Sequence, residues 1–231
     1  MEKKLEPKCE GLYCEVESHA IEKLLERLKS CFIDELDEIG PDAGKRLLRL
    51  FDVWRQVSLR RIVDLADSAD VFFHQGRLLP ANTLTRSTVE TVAVQFAVWK
   101  KLDSLTDALN ADGIHKLLMS VVFGRRDKGE DWPNKSMQVL TAIDHLEKQF
   151  PGFRSEYDRL SEYVHPGLAG GYGMYVRTEG QKFKTYFGQN PLGLEMDPWG
   201  RAELHAALMV AVTFNEFLSM TRPRIEALSV H

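Results

Sequence analysis

Hydrophobic residues recur every three or four positions along most of the chain, and polar residues fill the positions between them. This spacing is typical of amphipathic helices with one buried face. It predicts helices over about residues 16–39, 43–74, 80–102, 112–123, 134–150, 153–164 and 197–220. The predicted ends coincide with helix-ending residues, since Gly40 and Pro41 follow the first helix, Gly76 the second and Pro223 the last.

The third predicted helix differs from the others in its pattern. Between Leu84 and Trp99 the apolar side chains fall on every side of the helix instead of on one face. A helix that is apolar all round is buried among other elements. We therefore expect residues 80–102 to form the central helix of a bundle.

The pattern changes again after Pro166. Residues 167–193 contain seven glycines, and aromatic and β-branched residues flank Glu179 and Gly180. Such residues on both sides of a glycine-containing turn predict a β-hairpin. The sequence thus predicts a mainly α fold, with six to seven helices around a buried central helix and one β-hairpin near the C-terminal third. We expect one helical domain over residues 1–231, with residues 1–15 flexible and residues 168–193 forming the hairpin insertion.

Composition and charge narrow the class of protein. The 231 residues are 44% hydrophobic and 28% charged, which is typical of a soluble globular protein. The formal net charge of −4 provides no general attraction to nucleic acid or to an anionic membrane. The N-terminal residues carry no apolar run of signal-peptide length, and no apolar run reaches the roughly 20 residues of a membrane span. We expect a cytoplasmic protein without a membrane helix.

The cysteines Cys9, Cys14 and Cys31 are odd in number and lie near one end of the chain. This arrangement fits reduced thiols better than a disulfide framework. Together with His19 they could also supply the thiolate and imidazole ligands that Zn²⁺ prefers. The spacing matches no common zinc module, so the sequence predicts neither a metal nor another cofactor.

Two charged residues stand on the predicted central helix. Arg86 and Glu90 are four positions apart, so they lie about 40° apart around the helix axis. Charged side chains in a bundle core are costly unless they are paired and hydrogen-bonded. We expect them to pair with each other and with one further group. They form either a structural ion pair or one wall of a polar pocket.

A second group of polar residues stands near the end of the sixth predicted helix. Tyr157, Arg159, Tyr163 and His165 follow one another within about two helical turns, and His165 precedes a proline and a glycine-rich segment. A histidine beside flexible backbone can act as an acid or base near neutral pH. It can equally cap the last carbonyl groups of the helix.

The motifs Arg86-x-x-x-Glu90 and Leu160-Ser-Glu-Tyr-Val-His-Pro166 resemble those of bacterial helical proteins of unknown function that border the HEPN group. The spacing Arg159-x5-His165 is similar to the Arg-x(4 to 6)-His motif of HEPN ribonucleases. The resemblance implies that His165 handles the proton of a ribose 2′-hydroxyl, that Arg159 holds the phosphate, and that no metal takes part. Leu160 departs from the polar residue that many active members carry after the arginine.

Two functions follow as alternatives. In the first, the protein is a non-catalytic helical protein that binds a partner or a small ligand in a polar pocket around Arg86, Glu90 and His165, with Tyr157 and Tyr163 contributing. In the second, it is a HEPN-like ribonuclease or RNA-binding module with Arg159 and His165 at the site. The formal net charge of −4 favours the first function, because it gives no general attraction to RNA. We expect a homodimer, because symmetric dimers are the commonest oligomers and helical modules of this kind often build sites across a two-fold axis.

Overall fold

The computed structural model describes residues 18–36, 43–124, 137–179, 184–188 and 197–228. These residues form a mainly helical bundle with one two-stranded antiparallel hairpin, which confirms the predicted fold class. The helices are α1 (Ser18–Lys29), α2 (Ala43–His74), α3 (Leu78–Asp107), α4 (Ala111–Phe123), α5 (Val139–Gln149), α6 (Phe153–Val164), α7 (Gly173–Tyr175) and α8 (Asp197–Leu228), and the strands are β1 (Val176–Glu179) and β2 (Lys184–Phe187). The predictions made for residues 1–15, for Cys9 and Cys14 and for a helix start at Asn134 lie outside the described residues.

Helix α3 is the centre of the bundle, as its pattern predicts. It packs against α2, α4, α5, α6 and α8, and its residues from Val92 to Val98 are buried on every side except at Val94, which is partly buried. The helix is longer than predicted at both ends. Pro80 lies in its first turn, where a missing backbone N–H breaks no helical hydrogen bond. At the other end, the buried Thr106 extends the inward face beyond Leu102.

The prediction that the first helix runs to residue 39 is wrong, since α1 ends at Lys29. The reason is a contact with α2 that the local pattern does not contain. The Gln56 side chain donates a hydrogen bond to the Cys31 carbonyl at 3.0 Å and accepts one from the Ile33 N–H at 3.0 Å. These two bonds hold the chain in a non-helical path after Ser30.

The prediction that the last helix breaks before Pro223 is also wrong, because α8 continues to Leu228 with the proline inside it. Contacts on both sides of the proline hold this last part of the helix. Ile225 is fully buried, Arg222 Nε lies 3.0 Å from Asp52, and Arg224 Nη1 lies 2.6 Å from Asp103. These tertiary contacts outweigh the helix-breaking tendency of the proline.

Helix α8 is also apolar enough to resemble a membrane span. In the described part of the chain, the stretch Pro198–Leu228 meets the length and composition of such a span, since it contains a window of 18 residues with a mean hydropathy of 1.2. However, 56% of this window is buried inside the protein, as expected for a helix in the core of a bundle. Length and composition are therefore only weak evidence for a membrane helix here.

The buried apolar residues form two clusters, which both include α3. The larger cluster joins α1, α5 and α6 to the second half of α2, the first half of α3 and the first half of α8. The smaller cluster joins α4 to the first half of α2 and to the C-terminal parts of α3 and α8. The N-terminal half of α3 therefore meets α6 and α8 inside the larger cluster, and the polar site described below lies there.

The hairpin is shorter than the glycine-rich segment that predicts it. Val176 of β1 pairs with Phe187 of β2, and Glu179 pairs with Lys184. The residues before the hairpin, Leu168–Tyr172, form a π-helical turn instead of a strand. This turn packs against the end of α6 so closely that a Cβ atom on Gly170 would overlap the Tyr163 carbonyl oxygen.

Candidate functional site

Arg86 and Glu90 form an ion pair, and their further partner is Tyr157 on α6. Arg86 Nε lies 3.2 Å from Glu90 Oε1, and Arg86 Nη2 donates a hydrogen bond of 3.1 Å to the Tyr157 hydroxyl. That hydroxyl donates in turn to Glu90 Oε1 at 3.0 Å. The side chains of Arg86 and Glu90 are 24% and 26% exposed, so this triad lies at the edge of the bundle and its charges are paired.

Arg159 faces α8 rather than the triad. Its Nη1 lies 2.9 Å from Glu156 Oε2, one turn earlier on α6. Its guanidinium carbon lies 3.8 Å from the ring centroid of Trp199, which stands in the first turn of α8. An arginine that stacks on an indole ring and pairs with a carboxylate uses both the flat face and the edge of its guanidinium group.

Arg159 and Trp199 stand beside a small cleft between three helices. The cleft has room for about one water molecule. We call it the α3–α6–α8 cleft, and it is lined by Asn82 of α3, by Glu156, Arg159, Leu160 and Tyr163 of α6, and by Trp199, Gly200 and Glu203 of α8. The cleft and the triad are neighbours, because Asn82 stands one helical turn before Arg86 on the same side of α3.

Gly200 makes the close approach of α8 to α3 sterically feasible. A Cβ atom at this position would overlap Asn82 Oδ1 and would lie 2.6 Å from the Phe73 ring. Asn82 itself is only 1% exposed. Neither polar atom of its side chain has a hydrogen-bond partner among the residues that the structure describes. A buried amide without partners is uncommon and calls for a group that pairs with it.

The cleft also changes the acid–base properties of its lining. Burial, together with the negative charge of Glu156, raises the pKa of Glu203 to about 7, although Arg159 acts in the opposite direction. Burial likewise raises the pKa of Tyr163, again against the effect of Arg159. The cleft therefore holds two carboxyl groups against one guanidinium group. One of those carboxyl groups titrates near neutral pH.

His165 lies apart from this cleft lining. It follows the last residue of α6, its backbone N–H donates to the Ser161 carbonyl, and its side chain is exposed. In the described part of the chain, its imidazole makes no hydrogen bond. The structure thus brings Arg86, Glu90 and Tyr157 together and places Arg159 and Tyr163 in the neighbouring cleft.

A wider groove between α1 and α2 is a second place where polar residues gather. Most of its ionisable side chains lie 3.2–3.6 Å from a possible partner: His19 from Glu22, Lys29 from Asp67, and His74 from Asp70. Side chains that already have a partner have less to gain from a ligand than a buried amide without partners among the described residues. The α3–α6–α8 cleft is therefore the stronger candidate site.

The predictions from the sequence do not include four residues that define this cleft: Asn82, Glu156, Trp199 and Glu203. Asn82 had a usable signal, because with Arg86 and Glu90 it forms a line of polar residues four positions apart on an apolar helix. No sequence signal predicts the cleft residues of α8, since the local sequence does not indicate which helix the segment 199–203 will contact.

No metal site accompanies the cleft in the described residues, where no three histidine, cysteine, aspartate or glutamate side chains are grouped to hold an ion. The structure thus provides a cleft with polar and aromatic lining and one buried amide to be satisfied. No family model, curated protein or solved structure matches the chain.

Proposed function

We propose that this protein binds a small polar ligand, without transforming it, in the α3–α6–α8 cleft. The observation that carries the proposal is Asn82, whose amide is buried at the cleft and has no partner among the described residues. Leaving such a group unpaired costs about 1–3 kcal/mol of stability. A ligand with a donor and an acceptor recovers part of this cost when it reaches the amide.

Other features of the lining support a ligand site. The Trp199 side chain is 36% exposed, so part of its aromatic surface is open to solvent beside the buried amide. Apolar and aromatic walls with a few polar groups pointing inward are typical of small-molecule sites. Two of the residues predicted from the sequence, Arg159 and Tyr163, belong to this lining. The triad of Arg86, Glu90 and Tyr157 lies one helical turn away and links α3 to α6 on the same side.

Thermal unfolding in the presence of three probes tests this proposal. The probes are methylguanidinium, phosphate and acetamide, which represent a planar cation, an anion and a neutral amide. A ligand that binds only the folded protein raises its melting temperature with concentration. We expect at least one probe to do so in the wild type, and the effect to be lost in Asn82→Leu, where the amide is replaced by an apolar side chain of similar size.

A matched variant controls for unspecific effects of the probes. Arg154 is also on α6, but it pairs with Asp144 and Asp158 at the surface and lines no part of the cleft. Arg154→Ala is expected to keep the full response to the probe. The proposal is wrong if no probe raises the melting temperature, or if the rise survives unchanged in Asn82→Leu.

The ribonuclease alternative stays a prediction, and RNA cleavage in EDTA tests it separately. A metal-independent site that uses His165 and Arg159 would leave 2′,3′-cyclic phosphate ends. We expect no such product, because Arg159 lines the α3–α6–α8 cleft and His165 does not, and because the formal net charge of −4 gives no general attraction to RNA. Cleavage that disappears in His165→Ala and persists in His115→Ala, which alters an exposed histidine of α4, would replace the binding proposal with an enzymatic one.

A further inference from the structure

The α3–α6–α8 cleft already holds one planar cation, which belongs to the chain itself. The guanidinium group of Arg159 stacks on Trp199 at 3.8 Å and lies 2.9 Å from the Glu156 carboxylate. An aromatic face and a carboxylate edge are the two features that bind a guanidinium group. The geometry of a guanidinium site is therefore visible in the protein, with Arg159 as its occupant.

The described lining of the cleft contains more acidic than basic side chains. Glu156 and Glu203 both belong to it, and Arg159 is the basic residue among the described lining residues. From α3 the lining contains Asn82, which carries no charge, and from α6 it also contains Tyr163. Burial is the main cause that raises the pKa of Glu203 to about 7, and the negative charge of Glu156 adds to it, so a positive charge beside Glu203 would favour its ionised form.

We propose that the ligand of this cleft carries a guanidinium or amidinium group, and that it enters by exchange with the side chain of Arg159. This inference rests on the proposed binding function and names the chemical class of the ligand. An anionic ligand would instead add negative charge beside the carboxyl groups of Glu156 and Glu203. A planar cation can stack on the Trp199 ring and pair with the Glu156 carboxylate at the same time.

Exchange explains how a ligand fits a cleft that has room for only about one water molecule. The Arg159 side chain is 32% exposed, so it borders solvent and can turn outward. Its departure frees the volume of one guanidinium group between Trp199 and Glu156. A ligand head group of the same shape fills that volume, and Asn82 and Glu203 lie beside it as further hydrogen-bonding groups.

The first test compares the binding of methylguanidinium to the wild type, Arg159→Ala and Arg154→Ala by calorimetric titration. If Arg159 occupies the site about nine-tenths of the time, its removal lowers the apparent Kd about tenfold, because the competing side chain is gone. We expect this tighter binding in Arg159→Ala. Arg154→Ala should bind like the wild type.

The second test measures the same binding in Arg159→Ala between about pH 6 and about pH 9. In the wild type the pKa of Glu203 is about 7, and the loss of the Arg159 charge beside it raises this pKa further, so the carboxyl group is protonated at the lower pH and becomes ionised toward the higher one. Methylguanidinium keeps its charge throughout, so its affinity should rise about tenfold or more across this range if it needs the ionised carboxylate. In the double variant Arg159→Ala with Glu203→Gln, the rise should disappear.

The outcomes separate this inference from the proposed function. If phosphate or acetamide binds in the cleft and methylguanidinium does not, the ligand class is wrong and the binding function stands. If methylguanidinium binds no more tightly to Arg159→Ala than to Arg154→Ala, exchange with Arg159 is wrong. If none of the three probes binds to the wild type, both proposals are wrong.

Discussion

The polar side chains between α2 and α8 and those in the α3–α6–α8 cleft differ in how completely they are paired. Between α2 and α8, the buried Arg55 donates to Asn215 at 2.9 Å and to Ser219 at 2.6 Å. Beside them Arg222 Nη2 lies 3.0 Å from Asp52. In the α3–α6–α8 cleft, by contrast, Asn82 has no partner among the described residues and Glu203 has a raised pKa.

The difference separates a structural role from a binding role. A fully paired polar network inside a protein aligns the helices that it joins and has no group left for a ligand. A buried group without partners costs stability, and a ligand can recover that cost. The two asparagines make the contrast direct, because Asn215 and Asn82 are 4% and 1% exposed and differ mainly in having a partner.

The largest loss of stability is expected from a change in the apolar core, away from both groups of polar side chains. Val92 is fully buried at the centre of α3. Val92→Asp places an unpaired carboxylate there, and we expect a loss of more than about 4 kcal/mol, enough to abolish cooperative folding. Circular dichroism during heating measures this. A cooperative transition near that of the wild type would show that α3 is not the buried centre of the bundle.

Identical changes at the two asparagines should have different effects. Asn215→Leu removes the acceptor of Arg55 and leaves a buried guanidinium group short of one partner, so we expect a loss of about 2 kcal/mol. Asn82→Leu removes an amide that has no partner in the described part of the chain, and the free energy of unfolding should stay unchanged or rise. Urea denaturation of both variants gives the comparison. Equal losses at both positions would remove the distinction between the two regions.

The cleft also predicts a pH dependence of stability. The pKa of Glu203 is about 7 in the folded protein, against an ordinary value of 4.5, so the folded state holds this proton more strongly than the unfolded state. This group therefore lowers stability as the pH rises from about 4.5 to about 7. Glu203→Gln cannot ionise, and it should be more stable than the wild type by on the order of 2 kcal/mol at about pH 8.

The control for this prediction is the same pair of proteins below both pKa values. At about pH 4 the carboxyl group is protonated in the folded and in the unfolded protein, so the gain from Glu203→Gln should vanish. Melting temperatures across the pH range measure the difference. A gain that is the same at low and at high pH would show that packing, and not ionisation, separates the two proteins.

The triad of Arg86, Glu90 and Tyr157 lies between the two extremes, because it is paired but partly exposed. Glu90→Ala removes the acceptor of Tyr157 and the partner of Arg86, and we expect a loss of about 1 kcal/mol. Asp67→Ala breaks the exposed pair with Lys29 and should cost about half as much or less. Equal effects in urea denaturation would mean that the triad is no more than a surface ion pair.

The elements that the sequence predicts well are those that local patterns specify. The apolar surface of α3 on every side identifies the central helix, and α6 has the predicted bounds, from Phe153 to Val164. Helix α2 ends at His74, and Gly76 follows with a left-handed φ of 66°, as a glycine cap requires. The ends of α1 and α8 were predicted wrongly because Gln56, Asp52 and Asp103 hold them from other helices.

The sequence alone determined the ion pair of Arg86 and Glu90, because residues four apart on one helix are neighbours whatever surrounds them. Only the tertiary structure decided that Tyr157 completes this pair and that Arg159 turns to Trp199. It also decided that Asn82, Glu156 and Glu203 meet in one cleft, because these residues come from three helices and their contacts depend on how those helices pack. Local periodicity specifies which side of a helix is buried, and it contains no information about which distant residues will face that side.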